Sequence, residues 1–288
     1  MKTISRRQFL GRSAATIAAT TCLWSEAGQL WADPLKLPIG CQLYPVGKMV
    51  AQDFEGTLKQ LAAIGYQTIE LCSPPSYTTS GFAPLVKIKA VDLRKTIEAA
   101  GLRCESCHYQ FKELKDSLDD RLAYAKELGL KQMIVAMFGL PQNATLADWA
   151  RAAGELNKLG ERTKAAGVQL GFHNHHFEFK EIDGVLIYDK LMSEFDPRLV
   201  KMQFQVAVIS LGYEAATYLT KYPGRFISLH LADWSATEKK SVPVGAGVVN
   251  WEKLFAAAKI GGVQNYFVEM NLDALKASYP YLHNLKVE

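Results

Sequence analysis

From residue 38 onward, short apolar runs rich in Val, Ile and Phe alternate with amphipathic stretches punctuated by glycine. Runs of that length, bounded by turn residues, read as buried strands, and the stretches between them carry helical periodicity. Eight strands are predicted: Pro38 to Tyr44, Thr68 to Ser73, Arg103 to Gln110, Gln132 to Phe138, Val168 to His175, Val200 to Val208, Phe226 to Trp234 and Tyr266 to Met270. Helices are predicted over 53–64, 91–100, 118–128, 146–165, 213–222 and 251–260. Gly65, Gly101, Gly129 and Gly167 stand at helix-to-strand junctions, where a left-handed C-cap is wanted. Regular alternation of the two elements predicts a parallel sheet. Eight units in this length suit a closed α/β (β/α)8 TIM barrel, with a doubly wound open sheet as the alternative.

Side chains alternate across a strand, so in a barrel one parity faces the lumen and the other packs on helices. Polar residues gather on one parity: Gln42 with Tyr44, Glu70 with Cys72, Ser106 with His108, His173 with His175, Gln203 with Gln205, Ser228 with His230, and Glu269 alone. Their neighbours of opposite parity, such as Ile69, Leu71, Phe172, Phe204, Leu229, Leu231 and Val268, are apolar. The polar set lies toward the strand C-termini, the catalytic face of a barrel. Glu70 and Glu269 would be buried carboxylates, which are costly unless paired, bound to a cation or functional.

The first 32 residues read differently. Ser5-Arg6-Arg7-Gln8-Phe9-Leu10 precedes a small, weakly apolar run, the outline of a twin-arginine signal peptide over 1–32, with the barrel domain over 33–288. The expectation is a periplasmic or otherwise exported protein. The apolar run is too short and too rich in Ala and Thr for stable membrane insertion. The whole chain has 33 Lys and Arg against 29 Asp and Glu; losing Lys2, Arg6, Arg7, Arg12 and Glu26 leaves 29 against 28. A nearly neutral domain offers nothing for a phosphate backbone, so nucleic acid is not an expected partner. A small-molecule substrate is, and a homo-oligomer is compatible with the sequence. Cys104 and Cys107, three apart on a predicted strand, would point to opposite faces beyond disulfide reach, so buried thiols are expected.

The chain resembles the sugar phosphate isomerase/epimerase family, the barrels related to xylose isomerase. The resemblance is carried by Thr68-Ile69-Glu70-Leu71, by the run Gly171 to Phe179 (GFHNHHFEF), by Leu229-His230-Leu231-Ala232-Asp233, by the run Val244 to Trp251 (VGAGVVNW) and by Phe267-Val268-Glu269. It extends over essentially all of 33–288. It implies a divalent metal, often manganese, held by Glu, Asp, His and Glu from strands five to eight. Those places fall on His173, Gln205, His230 and Glu269, so an imidazole and an amide stand where relatives carry carboxylates. Such a set would serve manganese, zinc, iron or nickel better than magnesium or calcium. Glu70 and Glu178 are candidates for the missing carboxylate.

What the resemblance implies for activity is metal-assisted proton transfer on a sugar. Glu269, His175 and Glu70 are then the candidate catalytic residues, and His108, Tyr44, Trp234 and Gln203 the candidate substrate-binding ones. The expected function is an isomerase or epimerase acting on an unphosphorylated sugar or keto-glycoside. Two alternatives stand beside it: a 3-keto-glycoside lyase or hydratase of the same fold, and a catalytically silent sugar-binding barrel, which the altered ligand set motivates. Endonuclease chemistry on this fold would need a basic groove and more carboxylates.

Overall fold

The computed structural model describes residues 35–287, so the predicted signal peptide and its cleavage site lie outside the described residues. Eight parallel strands close on themselves: β1 (Gly40–Gln42), β2 (Thr68–Cys72), β3 (Arg103–Tyr109), β4 (Gln132–Val135), β5 (Gln169–His173), β6 (Val200–Gln205), β7 (Phe226–Leu231) and β8 (Asn265–Val268). β1 pairs with both β2 and β8, which settles the closed barrel against the open sheet. The helices that follow the strands are α1 (Phe54–Ile64), α2 (Ala90–Ala99), α3 (Phe111–Leu128), α4 (Leu146–Ala165), α5 (Ile187–Glu194), α6 (Ala215–Lys221), α7 (Trp251–Gly261) and α8 (Leu272–Asn284); the loop after β1 carries a further short helix, Gly47–Gln52.

Local chemistry explains where the helices sit. In α4, Trp149, Ala152, Ala153, Leu156 and Leu159 recur at three- and four-residue spacing and are buried, the stripe that a helix lays on a sheet. Thr145 caps its start reciprocally with Asp148, worth about 1 kcal/mol. The four junction glycines adopt positive φ, from +80° at Gly167 to +120° at Gly65. Between strands and helices, Ile69, Leu71, Phe172, Phe204, Leu229, Leu231 and Val268 have no exposed surface, so the apolar parity forms the outer core. All four cysteines among the described residues are free and buried. None of the described helices is long and apolar enough to cross a membrane.

The structure differs from the sequence pattern at the mouth. Strands predicted to reach His175, Val208, Trp234 and Met270 stop at His173, Gln205, Leu231 and Val268. The apolar pattern runs on into 3-10 turns at Phe177–Phe179 and Val206–Leu211, which bury Phe179, Val206 and Val208 without strand pairing. Two hairpins, Glu181–Leu186 and Asp233–Val242, were not anticipated, nor were α5 and α8. α3 begins at Phe111, seven residues before its predicted start, because the chain bends at Ser117 (φ −142°, ψ 33°) and the helical periodicity is broken there.

Candidate functional site

Register brings the polar parity together. Glu70 lies level with Gln42 and Ser106, Cys72 with His108, His173 with Gln203, and Gln205 with His230. Glu70 has no exposed surface and sits at the centre of a closed network. Its Oε1 accepts from Ser106 Oγ at 2.6 Å and Gln203 Nε2 at 2.8 Å, and its Oε2 accepts from Gln42 Nε2 at 2.9 Å. Two imidazoles complete it: His230 Nε2 stands 2.5 Å from Oε2 and His108 Nε2 3.2 Å. Burial alone would push this carboxyl up, but His108 and His230 hold it well below the usual carboxylate range.

Tautomers follow from the same bonds. The Gln203 amide nitrogen is spent on Glu70 and on Ser228 Oγ at 3.1 Å, so its oxygen faces His108 Nε2 at 2.6 Å and that nitrogen carries the hydrogen. His230 likewise turns Nε2 to Glu70, which aims Nδ1 at Glu269 Oε2, 3.1 Å away. That Nδ1 is buried and makes no well-directed hydrogen bond, and neither does Nδ1 of His173. Burial disfavours the His230 imidazolium, yet Glu269 and Glu70 together push its pKa up to about 10. The proton thus occupies a position between two carboxylates that a cation would also favour.

His108, His173 and His230 are all buried, and one nitrogen of each lies within 4.8 Å of one in both others. The rings of His108 and His230 stack 5.0 Å apart, and His173 lies 4.5 Å from His230. Three neutral-capable imidazoles beside a carboxylate are a donor set that transition metals accept, so the residues present fit the implied cation. His173 and His230 belong to both this set and the one carried over by resemblance. His108, expected to bind substrate, lies inside the triad. Gln205 does not offer its amide freely: Nε2 donates to Glu269 Oε2 at 2.5 Å and Oε1 accepts from the Ala207 N–H at 3.2 Å.

The remaining placements separate wall from floor. Glu269 keeps one fifth of its side chain exposed, so it is the carboxylate of the cluster that reaches the mouth. Burial raises its pKa, but His230, with His108 and the Gln205 amide, outweighs burial and holds it below the ordinary value, leaving it a carboxylate at neutral pH. His175 stands above His173, ring centroids 4.7 Å apart, and stacks on Phe177 at 5.1 Å; burial lowers its pKa to about 4. Tyr44 is half-exposed on the loop after β1, edge-on to Tyr77, and Trp234 is partly exposed on the hairpin after β7. Gln203 is fully buried with both ends of its amide engaged, and Glu70 lies beneath the imidazoles with both oxygens occupied. These two brace the site from below and present nothing to a ligand. Glu178, weighed as a spare ligand, accepts the His175 N–H on Oε2 at 2.7 Å and is not part of the cluster of donor atoms.

One element of the site was visible in two halves in the sequence but not joined there. Asp233, buried after β7, accepts five N–H groups. Trp234 and Val249 donate to Oδ1 at 2.8 and 3.1 Å. Gly245, Gly247 and the Trp251 indole donate to Oδ2 at 3.1, 3.1 and 2.9 Å. The loop 243–250 is therefore wound around one carboxylate. At Gly247 a Cβ would lie 2.2 Å from Asp233 Oδ1 and 2.5 Å from the Trp234 carbonyl, which leaves no room for a side chain. Asp233→Asn replaces one acceptor oxygen by a donor facing N–H groups. It should cost about 3 kcal/mol, since each buried donor left unpaired costs 1–3 kcal/mol. Urea unfolding measures this, and an unchanged midpoint would contradict the role given to Asp233.

Comparison with known proteins agrees with this geometry. The profile of the xylose isomerase-like TIM barrel family matches residues 58–276. The chain belongs to that family. Among solved structures of the fold, a sugar phosphate isomerase/epimerase from Parabacteroides distasonis superposes with a TM-score of 0.72 at 26% identity, covering 86% of this chain and 94% of that one. A D-psicose 3-epimerase from Clostridium cellulolyticum superposes with a TM-score of 0.63 at 14% identity, covering 85% of this chain and 96% of that one. An inosose dehydratase from Lacticaseibacillus casei is 26% identical over 161 residues, which is 49% of this chain and 53% of that protein. This xylose isomerase-like chain thus spans about half the length of the dehydratase it matches. A buried histidine triad able to take a metal is the feature its site presents most clearly.

Proposed function

We propose that this chain is an exported sugar-converting enzyme that moves a proton at a carbon next to a carbonyl. Isomerisation or epimerisation of an unphosphorylated sugar or keto-glycoside is the leading reading. The observation that carries it is the juxtaposition of Glu269, ionised and reaching the mouth, with a buried triad of imidazoles. His108, His173 and His230, with Glu269 beside them, would hold a divalent metal such as manganese, zinc, iron or nickel. That cation, when bound, polarises a substrate carbonyl and acidifies the neighbouring C–H. Glu269 is placed to accept the proton, Gln205 fixes the carboxylate by donating to Oε2, and His175, held neutral by its surroundings, is a second group able to carry it. Tyr44 and Trp234 supply aromatic surface at the rim for the sugar. Glu70 acts through the imidazoles it orients.

The similarity to an inosose dehydratase supports a second reading, in which the same proton abstraction is followed by loss of a leaving group from the adjacent carbon. One experiment tests both. Metal content of the purified mature protein is measured beside a His230→Ala variant, and solvent deuterium exchange into keto sugars is followed by NMR. Near-stoichiometric metal that disappears in the variant, together with metal-dependent exchange, is expected. Exchange with return of the sugar indicates epimerase or isomerase action, and exchange with an unsaturated product indicates the lyase. Absence of metal from both proteins would overturn the proposal.

A further inference from the structure

Behind Phe177, on which His175 stacks, lies a cavity that proton transfer on a sugar does not use. Its volume is about 650 Å³, and its walls include Leu140, Pro141, Trp149, Phe177, Ile182 and Ile187. The size falls in the range of small-molecule pockets. These residues follow the C-terminal ends of β4 and β5, so the cavity opens on the same face of the barrel as the site. A row of packed rings lies between it and the triad: His173 to His175 at 4.7 Å, His175 stacked on Phe177 at 5.1 Å, and Phe177 to Trp149 at 6.5 Å. Phe177 is therefore one wall of the cavity and the back of a candidate catalytic histidine at once.

We infer that this cavity binds the aglycone of a glycoside, an apolar planar group attached to the sugar that reacts at the triad. The inference rests on the sugar reading above. A second sugar unit is the rival occupant, and the walls disfavour it. Every buried hydroxyl needs a hydrogen-bond partner, whereas the walls offer two aromatic rings and aliphatic side chains. The polar groups of the lining, Gln142, Lys180 and Glu181, are exposed and so suit the edge of an aryl group that carries a phenolic or carboxylic substituent. An indole and a phenyl ring favour a flat apolar partner by offset or edge-on contact.

The test uses the mature protein and four probes in calorimetric titrations: methyl glucoside, 4-nitrophenyl glucoside, cellobiose and free 4-nitrophenol. Two variants, Leu140→Glu and Ile182→Glu, each place a charge on a partly buried wall residue outside the catalytic cluster, and thermal melts verify folding. The expected result is that 4-nitrophenol binds alone, that the aryl glucoside binds at least tenfold more tightly than methyl glucoside or cellobiose, and that the advantage falls to twofold or less in a folded variant with methyl glucoside unaffected. Equal binding of aryl and methyl glucosides, cellobiose matching the aryl glucoside, or an advantage that survives in both variants would overturn the inference. Those outcomes leave the sugar reading standing. Failure of metal-dependent exchange with 4-nitrophenol still bound would instead strike the sugar reading, leaving an aryl-binding cavity with no reacting sugar attached to its occupant.

Discussion

Glu70→Gln should lower stability by about 3–5 kcal/mol, the cost of removing one partner from a buried charged network, and should weaken metal affinity by 10- to 100-fold. The substitution preserves shape and removes the charge. Glu70 accepts from Ser106, Gln203 and Gln42 and faces His108 and His230. An amide in its place must turn its NH2 toward groups that are already donors, so at least one of these contacts becomes repulsive. Its loss also frees His230 to rotate or change tautomer, and the outer partners of ligating histidines are worth a factor of 10–100 in affinity. Ser106→Ala removes a single hydrogen bond of the same network and should cost only about 1 kcal/mol. Urea unfolding and competition with a chromophoric chelator read the two effects without any need for the substrate. Equal midpoints and equal affinities in wild type and Glu70→Gln would show that the carboxylate is a bystander.

A second large effect belongs to Glu178. This side chain has no exposed surface, and burial raises its pKa from an ordinary 4.5 to about 8, opposed only by backbone N–H groups including that of His175. The folded state therefore holds a proton that the unfolded chain gives up at lower pH. A carboxyl raised in this way favours folding fully only below its unfolded pKa, and stability is lost as pH climbs toward the folded value. With one pKa unit equal to about 1.4 kcal/mol, the loss between pH 4.5 and 8 is on the order of 5 kcal/mol. Glu178→Gln keeps an oxygen for the His175 N–H and cannot ionise, so it should abolish this slope and stabilise the protein at pH 8–9 by several kcal/mol. Unfolding midpoints at pH 5 and pH 9 for both proteins measure it. A wild type as stable at pH 9 as at pH 5 contradicts the assignment.

Several features were legible before any coordinates. Apolar runs separated by amphipathic stretches are the direct signature of strands covered by helices, and all eight barrel strands lie within or against their predicted spans. The alternation of polar and apolar residues marked Gln42, Glu70, Ser106, His108, His173, Gln203, Gln205, Ser228, His230 and Glu269 as one inner surface, because the two-residue period of a strand is a local property. The junction glycines were readable for the same reason: a left-handed C-cap is required by the helix end itself. What lay beyond reach was anything that depends on how strands far apart in sequence are staggered. Glu70 looked like a reacting carboxylate, and Gln203 like a substrate ligand, until register set them under the histidines with every donor and acceptor engaged. His108 joined His173 and His230 only because barrel closure carries β3 opposite β7. Asp233 and the loop 243–250 were separately conspicuous, but only folding winds the one around the other. Local propensity and pattern chose the elements and the inward face; the stagger of the closed barrel chose which inward side chains meet, since a contact between residues 70 and 230 is decided by strand register and leaves no mark on either residue's neighbours in the chain.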